Sequence, residues 1–161
     1  MRPATRDDLE AILAIYNDAV LNTTASYDYE PRTMKHRVGW FEEHQQQQLP
    51  MFVAVDAEGQ IVGWSSLSHY HDRQGYRFTV ENSVYVDAKH RGRGVGKLLL
   101  APLIDSAHAL GLHAIIAAID AENEASIRLH ARFEFVEVGH FKQVGFKFNR
   151  WLDVVYMQRL L

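Results

Sequence analysis

Leu9, Ile12, Leu13, Tyr16 and Val20 recur at the spacing of a helix that buries one face. Thr5 or Asp7 stands where such a helix needs a cap, so the pattern predicts a short opening strand and then a helix over about Asp7 to Leu21. Asp7, Asp8 and Glu10 suit its positive first turn. Polar residues from Asn22 to Pro31 break the pattern. A second helix is predicted from Thr33 to Gln47, anchored by Trp40 and Phe41, with Gln45 to Gln48 as its exposed end.

The period then changes. Met51 to Val55 and Ile61 to Leu67 read as strands joined through the turn residues Asp56 to Gln60. From Phe78 to Val86 the chain alternates, with Val80, Asn82, Val84 and Val86 on one face and Thr79, Glu81, Ser83 and Tyr85 on the other. A glycine-rich turn, Arg91 to Gly96, opens a helix running to about Leu110 and closed by Gly111. Pro102 lies inside that helix and predicts a kink or local bend. Ala114 to Ile119 reads as a buried strand and Ala125 to Phe133 as a short helix. Phe135 to Phe141 and Val154 to Leu160 read as closing strands. Helices mixed with hairpins imply an α/β (α+β) domain over residues 1–161, with one mixed, mostly antiparallel sheet flanked by about four helices.

With 161 residues, 47% hydrophobic and 23% charged, the chain has the composition of a globular domain with one core. A net charge of −3 gives no overall attraction to nucleic acid or anionic membrane. No apolar run approaches the roughly 20 residues a membrane helix needs, and the N-terminus carries no apolar signal segment, so a cytoplasmic protein is expected. The absence of cysteine removes disulfides and thiolate chemistry and fits a reducing compartment. Nine histidines invite a metal reading, but the spacings of His36/His44, His69/His71 and His108/His113 do not form a zinc-hydrolase pair, and no metal is expected.

The sharpest feature is Arg91-Gly92-Arg93-Gly94-Val95-Gly96-Lys97 between a strand and a helix. Alternate glycines let backbone approach a ligand, and amides converging at a helix N-terminus suit a phosphate or pyrophosphate. A Walker loop would follow its lysine with Ser or Thr, and Lys97 is followed by Leu98. A dinucleotide fingerprint belongs in a first βαβ unit, and this turn follows several strands. A glycine turn that merely starts a helix is the alternative.

Arg-x-x-Gly-x-Gly after Ser83-Val84-Tyr85-Val86 resembles the acetyl-CoA pyrophosphate loop of the GNAT superfamily of N-acetyltransferases. Leu112 to Ile119 resembles the superfamily's fifth strand, and Asn123 to His130 the segment that follows it. Ile15 to Val20, Thr79 to Val86 and Val144 to Asp153 resemble its phosphinothricin and methionine sulfoximine/sulfone N-acetyltransferase branch. The likeness covers essentially the whole chain.

That resemblance implies a sheet splayed where acetyl-CoA enters. Val84, Tyr85 and Val86 would pair with its pantetheine arm, and Gly92, Arg93, Gly94, Val95, Gly96 and Lys97 would hold its pyrophosphate. Asn123 would bond the arm further along, with Arg132 adding to the cofactor site. Glu81 matches the family's base, which must free a lone pair on a protonated amine before it can attack a thioester. An exposed strand carboxylate is the alternative reading. Many members carry a tyrosine seven residues after the asparagine as proton donor to the leaving thiolate. His130 stands there, and imidazole is able to relay a proton to sulfur or help deprotonate the amine; a histidine half-buried on a short helix against the sheet is the alternative reading. Glu134-Phe135 replaces the usual Gly-Phe. Arg73, Gln74, Gly75, Tyr76 and Arg77 occupy the branch's substrate segment, where Arg73 or Arg77 would bind a carboxylate and Tyr76 wall the pocket; the branch's Trp-Arg is Tyr70-His71 in this chain. A surface loop with solvated arginines is the alternative.

Three functions remain open at this level. The first is an acetyltransferase for small amino-acid-like amines, a homodimer by analogy with the branch. The others are an acetyltransferase for protein N-termini or lysines, and a non-catalytic acyl-CoA-binding module.

Overall fold

The computed structural model describes residues 1–161. Its sheet contains β1 (Arg2–Pro3), β2 (Met51–Val55), β3 (Ile61–His69), β4 (Thr79–Val86), β5 (Ala114–Asp120), β6 (Val136–Lys147) and β7 (Arg150–Leu160) in the order β1-β2-β3-β4-β5-β7-β6. Every neighbouring pair is antiparallel except β4 and β5. Those two pair only at Thr79–Ala114, Val80–Ile115 and Glu81–Ile116. Beyond Glu81 both strands continue without each other, which opens a V in the middle of the sheet.

Four helices cover the two faces: α1 (Leu9–Asn22), α2 (Met34–Gln46), α3 (Val95–Ala109) and α4 (Glu124–Ala131). Alternation along β4 decides which face each side chain meets. Val80 packs with Leu100, Leu103, Ile115 and Met157 in the main core under α3. On the other face Tyr85 stacks on Trp64, in the cluster formed with Leu9, Ile12 and Ile15 of α1.

Helix boundaries follow local chemistry. The Asp8 carboxylate accepts from the Thr5 amide at 2.7 Å and the Thr5 hydroxyl at 3.0 Å, and Arg2 grips the same carboxylate through both terminal nitrogens at 2.7 Å. A single 3-10 turn, Arg6–Asp8, therefore precedes α1. Thr33 caps α2 by accepting from the His36 amide. Through Pro102, α3 runs unbroken, and Leu98, whose carbonyl the proline leaves free, lies on an exposed turn.

The closing hairpin is longer than the alternation predicts. After an unpaired bulge over residues 142–144, with Gln143 at φ 52°, pairing resumes from Gly145–Leu152 to Lys147–Arg150. The turn places Phe148 and Asn149 at φ 51° and 57°, the signature of a tight primed hairpin turn. A phenylalanine is an unusual occupant of that position, so the turn carries no ordinary sequence signal.

Candidate active site

The V opens into two connected clefts. The outer one has a volume of about 690 Å³ and runs between the end of β4, the glycine turn and α4. Gly92 and Gly94 adopt φ 74° and 86°, the left-handed region that favours glycine. The turn is thereby bent so that no backbone acceptor meets the amides of Gly92 to Gly96. The free first-turn donors of α3 lie in the same stretch. Gly96 packs so close to α4 that a Cβ there would stand 2.9 Å from Leu129 Cδ2. Arg91, Lys97, Arg128 and Arg132 line the cleft; its one carboxylate, Glu122, is engaged by Arg150 at 2.7 Å. Free amides and a surplus of cations suit a diphosphate.

Of the residues expected at a cofactor, Val84, Tyr85, Val86, Gly92, Gly94, Val95, Gly96, Lys97, Asn123 and Arg132 all line this cleft. Arg93 lies in the same turn but outside the lining. The Asn123 side chain accepts from the Ser126 amide at 3.1 Å, capping α4 and leaving its NH₂ free. Sequence reasoning missed Arg128. It lies one helical turn before Arg132, a spacing that would have placed both on one face.

The inner chamber, about 390 Å³, begins at the apex of the V. Glu81, the last residue of β4 paired with β5, faces into it from the α1/α2 side, as the alternation predicts. Burial raises its pKa above the ordinary carboxylate range, and nearby His71 opposes this only in part. Tyr156, Asp120 and Tyr27 line the same chamber. Burial, with the Asp120 charge added, pushes the Tyr27 hydroxyl up to about 12. Tyr27 Oη, Asp120 Oδ2 and Asn82 Oδ1 are buried without hydrogen-bond partners. None of these three residues was singled out for chemistry from the sequence. Asn82 and Asp120 stand on the two splayed strands, and Tyr27 joins them because the segment after α1 is fastened across the sheet.

Lys147 does much of that fastening. It is 3% exposed and donates to the carbonyls of Thr23 at 2.9 Å and Ser26 at 2.5 Å. Tyr85 Oη donates to the Ala25 carbonyl at 3.2 Å, and Tyr29 Oη to that of Phe146.

Two expectations meet a different geometry. His130 is 3% exposed, and both ring nitrogens are engaged: Nδ1 lies 2.8 Å from the Ser126 carbonyl and Nε2 lies 2.9 Å from Asn82 Nδ2. A carbonyl only accepts, so Nδ1 carries the hydrogen and neutral Nε2 accepts from the Asn82 amide. Burial lowers the pKa of this imidazole. No N–H of His130 is therefore left to hand a proton to a leaving thiolate. The other departure is the segment Arg73, Gln74, Gly75, Tyr76 and Arg77, which lines neither cleft. It folds into its own 3-10 turn: the Arg77 guanidinium bonds the Gln74 carbonyl and sits 4.4 Å over the Phe78 ring, while Tyr76 packs on Tyr70 and His71.

Known proteins share this fold. The chain is 48% identical over 158 residues to the L-methionine sulfoximine/L-methionine sulfone acetyltransferase of Pseudomonas aeruginosa, covering 98% of this chain and 92% of that one. A phosphinothricin acetyltransferase from Sinorhizobium meliloti, solved in complex with acetyl-CoA, superposes with a TM-score of 0.97 at 38% identity, over 99% of this chain and 86% of that one. A ribosomal-protein-alanine N-acetyltransferase from Brucella melitensis superposes with a TM-score of 0.96 at 46% identity, over 99% and 98%. The profile of the acetyltransferase (GNAT) family matches residues 10–135, from α1 through the V and the glycine turn to the end of α4, and the chain belongs to that family of acetyl-CoA-dependent acyltransferases.

Proposed function

We propose that this enzyme acetylates the α-amino nitrogen of a small amino-acid-like amine, of the phosphinothricin, methionine sulfoximine or methionine sulfone type, by direct transfer in a ternary complex. One observation carries the reading: a carboxylate of raised pKa, Glu81, stands at the apex of the V in a chamber of about 390 Å³, a size suited to a small molecule. The Pseudomonas relative bears the name of such an activity.

Acetyl-CoA would lie along the outer cleft, its diphosphate on the free amides of Gly92 to Gly96 between Lys97, Arg128 and Arg132, its arm beside Val84 to Val86 and Asn123. Amine and thioester then meet at Glu81. The carboxylate accepts the ammonium proton, directly or through one water, and frees the lone pair that attacks the carbonyl. A backbone amide of β4 near Val84 faces the charge gathering on the carbonyl oxygen.

We also propose a cytoplasmic homodimer. Phe141, Val144, Phe146, Phe148 and Trp151 stand exposed on the β6–β7 hairpin at the sheet edge, an apolar surface that a second copy would cover.

A thiol-release assay over a panel of amines tests the proposal. Turnover is expected with methionine sulfoximine or sulfone and is lost in Glu81→Gln. No rate above buffer with any amino-acid analogue would overturn it, and turnover confined to peptides with an N-terminal alanine would reassign the enzyme to protein acetylation.

A further inference from the structure

Asn82 is the first residue of β4 beyond its last pair with β5, directly at the apex of the V. It follows Glu81 and so points to the opposite face, toward α4. Only 8% of it is exposed, and it lines the inner chamber. Its amide orientation is dictated from behind. His130 Nδ1 gives its hydrogen to the Ser126 carbonyl, so Nε2 has only a lone pair to offer, and the Asn82 NH₂ must turn toward it. Around the imidazole lie the Ser126 hydroxyl at 3.4 Å and the Phe135 ring at 5.0 Å between centroids. Asn82 Oδ1 is sealed and has no partner. With one N–H on His130, the polar group Asn82 has left to offer a ligand in the chamber is its second N–H.

We propose that Asn82, through this second N–H, is the donor that holds the departing sulfur of coenzyme A, and that His130 is a positioning residue that locks the Asn82 amide. The inference rests on the acetyl transfer proposed above. In that step the ammonium gives its first proton to Glu81. The C–N bond forms, and the tetrahedral centre collapses as the C–S bond breaks, its electron pair leaving on sulfur. The attacking nitrogen still carries one proton too many, and that proton ends on sulfur. Amide, thiol and protonated Glu81 balance the step without a side-chain acid, and Asn82 donates a hydrogen bond without losing its hydrogen.

The test combines an observation on the unliganded protein, a titration of bound coenzyme A, and rates. Nitrogen NMR of the wild-type imidazole is expected to show His130 neutral and protonated on Nδ1 throughout the neutral range. The thiol of bound coenzyme A, followed by its ultraviolet thiolate absorbance, is expected to titrate below that of free coenzyme A. Asn82→Leu should abolish the shift and lower kcat about 100-fold, the cost typical of one donor to a developing anion, with coenzyme A affinity unchanged by calorimetry. His130→Leu should follow it. His130→Gln, whose carbonyl can accept from Asn82, should recover most of the rate with no change in the pH profile. A His130 that titrates together with kcat, or a His130→Gln as slow as His130→Leu while Asn82→Leu turns over normally, would make the imidazole itself the acid and overturn the proposal. The thiol titration needs no amine, so it stands or falls separately from the substrate assignment.

Discussion

Gly145 of β6 abuts the ring of Tyr27, with no room between them for a Cβ. This contact, the Lys147 bonds to Thr23 and Ser26 and the Tyr29 bond to Phe146 strap the segment after α1 onto the closing hairpin. Thr24, Ala25, Ser26 and Tyr27 are thus walls of the inner chamber. Gly145→Ala must displace the Tyr27 ring, and overpacking of this kind costs about 1–3 kcal/mol. Lys147→Met removes a charged donor from two carbonyls, at about 2 kcal/mol. Both variants should melt lower and show a raised KM for amine. A melting loss with unchanged kinetic constants would mean that the strap shapes nothing in the site.

Glu81 makes opposite predictions for activity and stability. Burial disfavours its charged form in the fold but not in the unfolded chain, so its folded pKa is the higher. The folded state then gains most below the unfolded carboxylate pKa and loses that gain as pH rises through the folded value. Glu81→Gln removes the penalty. It should raise the melting temperature at neutral pH, with the difference closing near about pH 4. It should also lower kcat/KM by about 10²–10⁴-fold. In the wild type, kcat/KM should climb on its acid limb above the ordinary carboxylate range. A variant that is less stable than wild type at neutral pH would refute the buried-carboxylate account.

How much of this was legible follows from how far each feature depends on neighbours in the chain. The facing of Glu81 and the exposed amides of the glycine turn follow from strand alternation and local conformation, and both were readable. The ring environment of His130 was not, because Asn82, its partner, lies 48 positions away. Tyr27 and Asp120 become functional candidates only when the hairpin pulls the segment after α1 over the end of β5. That hairpin turns at Phe148, a residue with no turn preference. The Arg73–Arg77 segment failed for the converse reason: resemblance located it in sequence, and its own 3-10 turn and aromatic contacts set where it lies.

Gly96 tests the coupling between the glycine turn and α4. A methyl group there meets Leu129 at 2.9 Å, and Leu129 is one of the walls of the outer cleft. Gly96→Ala should push α4 outward and weaken coenzyme A binding about tenfold, equivalent to about 1.4 kcal/mol. Gly39→Ala, at a glycine with nothing within 4 Å, serves as the control and should leave binding unchanged. Equal affinities for wild type and Gly96→Ala, measured by calorimetry, would show that Leu129 yields without cost.

Arg37 of α2 is 3% exposed and belongs to none of the salt bridges. Its guanidinium instead lies 4.7 Å from the ring centre of Tyr16, 4.6 Å from that of Trp40 and 5.3 Å from that of Trp64. A planar, weakly hydrated cation tolerates such a site because its faces stack on rings, whereas a lysine ammonium is a strongly hydrated point charge. A flexible apolar side chain also packs well against aromatic rings and has no charge to desolvate. Arg37→Met should therefore unfold in urea within about 1 kcal/mol of wild type, and Arg37→Lys should lose about 2 kcal/mol or more. The reverse order, with lysine tolerated and methionine harmful, would mean that positive charge rather than flat shape is what this aromatic cage requires. Because Tyr16 and Trp64 both touch Tyr85, loosening the cage in Arg37→Lys should also reach the cofactor strand and weaken coenzyme A binding along with stability.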